Sequence, residues 1–233
     1  MASPALAATP ARQARAVIRA TDRAALATSQ EGWPFASLVL AALDHDGTPL
    51  LLISDLSEHA KNIKREPRVS LLFDGTVGYD DPLMGPRVTV LGAAETSAEP
   101  RLRQRFLARH PAAELYAGFA DFHLYRIAVA RAHLVAGFGR IHWIAADDLL
   151  PTAAPDWAVQ EAEMVSALNA DAARRKMLLD AHGLAGDWRF TGLDPEGADL
   201  RNRGTIARLE FATAVAGTGD GLAALGHATL TTL

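Results

Sequence analysis

From residue 10 onward the chain alternates short apolar runs with polar clusters that carry Gly, Pro or Asp. Residues 10–22 set Val17 and Ile18 apart from Arg12, Arg15 and Arg19, which predicts an amphipathic helix with its arginines on the wet side. Strands are predicted at 23–29 ("RAALATS") and 35–43 ("FASLVLAAL"), split by the turn "QEGWP". "DHDG" (44–47) reads as a hairpin turn, because Asp and Gly tolerate positive φ, and "PLLLIS" (49–54) as the third strand. Ser57 is a good N-cap for a helix over 57–66. Glu58 lies in its first turn and Lys64 and Arg65 in its last, which suits the helix dipole, and Pro67 stops it. A fourth strand follows at 68–73, a polar loop, and a fifth strand at 86–96. Residues 98–110 read as an amphipathic helix with its basic residues on one side. Residues 122–138 supply two more strands and "IHWIA" a last one.

Strands about nine residues apart and joined by tight turns argue for an antiparallel barrel rather than repeated βαβ units. "DDLLPTAAPDW" (147–157) reads as a linker, broken by Pro151 and Pro155. Beyond it, 157–183 is one long helical segment closed by Gly183. Short strands follow around "DPEG" and "NRG" turns, and "TGDGLAALGHATLTTL" can form a final helix. The predicted class is α+β, with a barrel unit at 1–150 and a small α+β unit at 151–233 that leans on it.

Composition narrows the function classes. Of 233 residues 49% are apolar and 21% charged, as in an ordinary soluble globular protein, and a net charge of −4 gives no electrostatic case for nucleic acid or an anionic membrane. The absence of cysteine excludes disulfides, thiolate metal sites and a cysteine nucleophile. The first nine residues lack the basic cluster of a signal peptide, and the longest apolar stretch, "SLVLAAL" (37–43), is far too short to span a bilayer. A cytoplasmic protein is expected.

The most chemically suggestive stretch is 54–62, where Ser54, Leu56, Ser57, His59, Lys61 and Asn62 cluster at a strand-to-helix turn. A helix N-terminus offers unpaired N–H groups and partial positive charge, which suits a phosphate; an ordinary capped surface helix explains the same residues. Other signals are faint. "GTGDG" (217–221) lacks a preceding strand and a following "GK[ST]", no H-E-x-x-H or G-x-S-x-G is present, and "KNIKREPR" lacks interleaved aromatics.

The run "S-x-L-S-x-H-x-x-N" (54–62), followed by "PRVSLL" (67–72), "DPLMGPRVTVLGAAE" (81–95), "ARHPAAELYAGFADFHLYRI" (108–127) and "AHLVAGFGRIHWI" (132–144), resembles the pyridoxamine-phosphate-oxidase-like, FMN-binding split-barrel superfamily, in particular its haem-utilisation branch. "GLDPEGADLR" (192–201) is similar to a stretch of the small C-terminal domain that many such barrels carry. The resemblance implies a split barrel that forms a homodimer with FMN, or alternatively haem, at the subunit interface. It implies that Ser54, Leu56, Ser57, His59 and Asn62 hold the flavin phosphate, that Ser37, Leu38 and Val39 run beside the ring, and that Arg87 meets it. Two departures stand out. Glu58 and His59 occupy the places of an Arg-Lys pair, which argues against pyridoxamine phosphate oxidation. "ALNADA" (167–172) keeps Asn169 and Asp171 of a His-Met-Asn-x-Asp-His pattern but has Ala for both histidines. Haem requires an axial ligand, for which His142, His133 and His59 are candidates, with His123 nearby. The resemblance therefore implies an FMN oxidoreductase-like protein first, a haem-binding or haem-degrading protein second, and third a non-catalytic binding module of tetrapyrrole metabolism.

Overall fold

The computed structural model describes residues 9–151 and 155–231; the Ala-rich start (1–8), the centre of the expected linker (152–154) and the last two residues of the expected final helix lie outside the described residues. Helix α1 (Pro10–Ala20) is capped by Thr9, whose side chain accepts from the Arg12 amide, and Pro10 fills the first turn where no donor is needed. Then come β1 (Arg23–Gln30), β2 (Trp33–Leu40), β3 (Ala42–Leu43), β4 (Pro49–Ser54), α2 (Glu58–Arg65), β5 (Arg68–Asp74), β6 (Pro86–Ser97), α3 (Pro100–Arg109), α4 (Glu114–Ala117), β7 (Phe122–Ala136), β8 (Ile141–Ala145) and α5 (Ala146–Leu149). The strands form one curled antiparallel sheet in the order β2-β1-β5-β6-β7-β4-β3, with β8 added to β7. This is a split barrel.

Two strands differ from the sequence expectation. The run expected as one strand at 35–43 breaks at Ala41, whose amide bonds the Asp22 carbonyl; β2 pairs with β1, whereas β3 pairs with β4. The corner carries the chain from one edge of the sheet to the other. The two strands expected over 122–138 are one 15-residue strand that pairs β6 along its length, β4 at its start and β8 at its end. No turn residue interrupts it. A bulge at Leu91/Gly92 bends the long β6–β7 ribbon, and a Cβ at Gly92 would lie 2.4 Å from the Ala128 carbonyl oxygen, so only glycine fits.

Alternation sends one face of the sheet inward. The register aligns Leu26, Leu71, Val90, Ala132 and Ile144 in a buried row across five strands. Ala14, Val17 and Ile18 of α1 join this core, as do Ala60 and Ile63 of α2. Each large side chain so buried contributes about 1.5–3 kcal/mol.

The second sheet is β9 (Arg189–Asp194), β10 (Gly197–Asn202), β11 (Thr205–Glu210) and β12 (Thr229–Thr231), in the order β12-β11-β10-β9. The helix expected over 157–183 is two, α6 (Pro155–Ala170) and α7 (Ala172–Ala181). Asp171 leaves helical geometry between them and caps α7 by accepting from the Arg174 amide. The expected final helix is α8 (Thr218–Ala224), a 3-10 turn and β12. One face of this sheet carries Leu193, Ala198, Leu200, Ala207 and Leu209, which pack with Trp157, Leu168 and Leu179 into a separate core.

The other face is charged and lies against the barrel. The register pairs Asp199 with Arg208 and Gly197 with Glu210. Buried Asp194 receives Arg19 at 2.5 Å and Arg208 at 2.9 Å; Arg15 and Arg19 reach Glu196; Arg105 pairs with Glu161; Arg201 pairs with Asp22 at 2.6 Å. The expectation that Arg15 and Arg19 face water is therefore corrected: Arg19 is 2% exposed, because its partner carboxylates arrive from the far end of the chain. Burial alone would raise the Asp194 carboxyl, but Arg19 and Arg208 hold it well below the usual carboxylate range. The "DPEG" and "DLR" residues, Asp194, Glu196, Asp199 and Arg201, thus form the second sheet's share of this contact.

Candidate functional site

Two regions compete for the role of site. The first is the turn into α2. Ser57 caps the helix, accepting from the Ala60 amide and donating to the Ser54 carbonyl. Ser54 donates to Asp121 at 2.5 Å and accepts from the Leu56 amide; the Leu56 side chain is exposed. Lys61 pairs with Glu58 at 2.6 Å and Lys64 with Asp55 at 2.8 Å. His59 is half-buried, and burial pushes its imidazole below the ordinary value, which disfavours the charged form. Asn62 is fully buried against β1, donating to Thr28 Oγ1, while its own Oδ1 has no partner. An orphan acceptor suits a donor, not a phosphate oxygen. The polar groups that suggested an anion pocket are thus largely engaged with one another.

The second region is the outer face of the barrel sheet. Pairing across β2-β1-β5-β6-β7-β8 places Leu38, Ala25, Leu72, Thr89, His133 and Trp143 in one row. The adjacent row on one side holds Ala36, Ala27, Ser70, Leu91, Arg131 and Ala145. On the other side lie Arg87, Val135 and Ile141. Leu38 is 73% exposed, Trp143 58% and Leu72 41%, and the flanking loops add exposed Val77, Leu83 and Phe138. A contiguous exposed apolar surface of this kind marks a ligand or partner face. Within it the His133 ring lies 4.6 Å from the Trp143 ring, and the Arg131 guanidinium sits 4.4 Å above that indole. Beside the row, at the start of β1, is an open cavity of about 570 Å³ whose walls include Ala25, Leu38, Leu72 and Arg23, a volume typical of small-molecule sites.

The structure therefore separates the residues expected to act together. Leu38 points outward, while Ser37 and Val39 lie on the inward face with Leu26 and Ala24. Arg87 is on the outer face, but its guanidinium donates to the carbonyls of Leu83 and Gly85 and so anchors that loop. His133 belongs to the outer row. His142 is opposite inward-facing Leu134, on the other side of β8, and His123 meets Asp55 at 3.2 Å near α2. Asn169 and Asp171 are structural: Asn169 bonds both the amide and the carbonyl of Phe190, and Asp171 caps α7. Reading the sequence missed Leu72, Arg131 and the cavity, since only the register brings them beside His133. Among the described residues no cluster of His, Asp or Glu is arranged to hold a metal ion, and no helix is long and apolar enough to cross a membrane.

Comparison with known proteins agrees with this fold. The chain is 32% identical over 134 residues to a protein of Arabidopsis thaliana named non-canonical heme oxygenase HOZ, chloroplastic; the match takes in 55% of this chain and 40% of that one, so the chain spans well under half of that relative's length. A solved protein of unknown function from Agrobacterium tumefaciens matches with a TM-score of 0.80 and 29% identity, over 97% of this chain and 98% of that one. A structure described as a heme binding protein from Mycobacterium smegmatis matches with a TM-score of 0.61 and 29% identity, over 95% and 96% of the two chains. Residues 6–150 match the family described as CREG, β-barrel, and with a curled antiparallel sheet built over that span the chain belongs to the CREG β-barrel family.

Proposed function

We propose that this protein binds haem on the outer face of its barrel, and that two copies pair over that face. The observation that carries the reading is the exposed row from Leu38 to Trp143, which sets one histidine in line with Leu38, Leu72 and Trp143 beside an open cavity. A tetrapyrrole needs a broad apolar contact, an axial donor and cations for its carboxylates. Leu38 and Leu72 would supply the first, His133 would be the donor, and Arg131 and Arg23 would supply the third. His133 has no hydrogen-bond partner among the described residues, so a ring nitrogen is free to act as a ligand. Bound haem supplies a redox-active iron. The names of the Arabidopsis and Mycobacterium relatives support haem over FMN, as does the internal pairing at Ser54, Lys61 and Glu58. The haem-utilisation branch is the natural place for such a protein within the split-barrel group.

Titration of the purified protein with haemin tests the reading. A saturable Soret band that shifts or broadens in His133→Ala, and is unchanged in His142→Ala, is the expected result. Saturable FMN binding lost on changing Ser57, with haemin bound only weakly, would establish the flavin reading instead. Pairing is tested by sedimentation equilibrium: the wild type is expected to be a dimer and Leu38→Glu a monomer, whereas a monomeric wild type overturns it.

A further inference from the structure

The cavity at the start of β1 is not made by the barrel alone. Its floor includes Ala25, Leu38 and Leu72, and its far wall is Gly204, Thr205 and Ile206, from the β10–β11 turn of the second sheet. That turn is short and tense: Asn202 pairs directly with Thr205, and Arg203 adopts the left-handed backbone with φ 53°, uncommon for a residue with a side chain. It is also tied down from three directions by Arg201, directly opposite Ile206 in the ladder. The Arg201 guanidinium donates to Asp22 at 2.6 Å, to the Arg109 carbonyl at the end of α3 at 2.9 Å, and to the Arg203 carbonyl within its own turn at 3.1 Å. Asp22 also receives Arg23, on the rim of the same cavity. One carboxylate therefore joins the ligand-facing end of β1 to the hairpin of the other sheet.

We infer that the β10–β11 hairpin is a wall of the ligand cleft, with Ile206 as the apolar contact and Arg201 as the residue that positions it. The cleft is then complete only while the second sheet is docked. Its ligand is flat and amphipathic: it lays an apolar face between Ile206 and the Leu38–Leu72 floor and keeps its polar edge at the rim, where Arg23, paired with Asp22, and Asp74 lie. This rests on the haem reading for the identity of that ligand, but not for the existence of the wall.

The test uses the full chain and two probes, haemin followed by absorbance and the apolar anionic dye 1-anilinonaphthalene-8-sulfonate followed by fluorescence. Ile206→Asp is expected to weaken both about tenfold or more, the loss that follows from removing one aliphatic contact. Arg201→Gln is expected to weaken both while the thermal unfolding midpoint shows the chain still folded, and Arg201→Lys, which keeps a cation for Asp22, is expected to recover part of the affinity. If Ile206→Asp does not fold, Ile206→Trp, which fills the cavity while remaining apolar, is expected to exclude both probes. Dye binding that depends on Ile206 without any haemin binding refutes haem and leaves the wall standing. Unchanged binding of both probes in the Ile206 variants, or no binding of either by the wild type, overturns the inference.

Discussion

The two sheets of this protein invert the usual arrangement in opposite ways. The outer face of the barrel is apolar and bare, with Leu38, Leu72 and Trp143 open to solvent. The corresponding face of the small sheet is charged and buried, with Asp194, Asp199 and Arg208 almost without exposure. The difference lies in what each has found within the chain. The charged face met arginines of complementary sign on α1 and α3: Arg19 reaches Asp194 and Arg109 reaches Asp199. The apolar row stays open, with the Gly204–Ile206 hairpin facing it across the cavity at the start of β1, and an open apolar surface of this kind is a candidate face for a molecule outside the chain. The buried ion pairs lie on the small sheet and the exposed apolar row on the barrel sheet, so substitutions can address the two separately.

The largest effect is expected at the charged face. Asp194→Ala leaves Arg19 and Arg208 buried without their shared partner and is expected to destabilise the fold by about 3–5 kcal/mol, the cost of breaking a buried pair from one side; urea unfolding measures it, and a loss below about 1 kcal/mol would mean that the network is hydrated. Next is acid sensitivity. Burial pushes the His110 imidazole, which bonds the Ala41 carbonyl, down to about 4. The unfolded chain takes up that proton near pH 6.5, so stability falls as pH drops from about 6.5 to about 4, by as much as about 3 kcal/mol. His110→Gln is expected to flatten that slope. The carboxyls of Asp194, Glu161 and Glu196 are held low despite burial, so their contribution is complete above about pH 4.5 and is lost as pH falls through their depressed values. His45 has the opposite sign. Burial opposes its charge, but Asp44 and Glu161 raise it on balance, so what it adds is full below about pH 6.5 and fades as pH rises through its raised value. The smallest effect on stability is expected at the apolar face: Leu38→Glu is expected to change unfolding by no more than about 0.5 kcal/mol, as exposed substitutions do, while abolishing self-association.

Much of the barrel was legible in the sequence because its signals are local. "DHDG" turned where Asp and Gly allow it, and Ser57 capped the helix that its neighbours charged at both ends. Asp171 leaves helical geometry and caps α7, which is why one expected helix is two; the helical pattern over 157–183 gave no sign of the break. Long-range pairing was not legible. Arg19 sits 175 positions from Asp194, so helical periodicity alone assigned it to water. The outer-face row was not legible for the same reason. Ser54, Ser57 and His59 are close in sequence and so stand out there, whereas Leu38, Leu72, His133 and Trp143 share a row only through the register of six strands.

Hydrogen–deuterium exchange of the whole protein with and without haemin sets those two clusters against each other in one measurement. Haemin is expected to slow exchange in β2, β5, β7 and β8 and in the turn at Arg203–Ile206, and to leave the start of α2 unchanged. Protection confined to Ser54–Asn62, with the outer strands unaffected, would contradict that expectation.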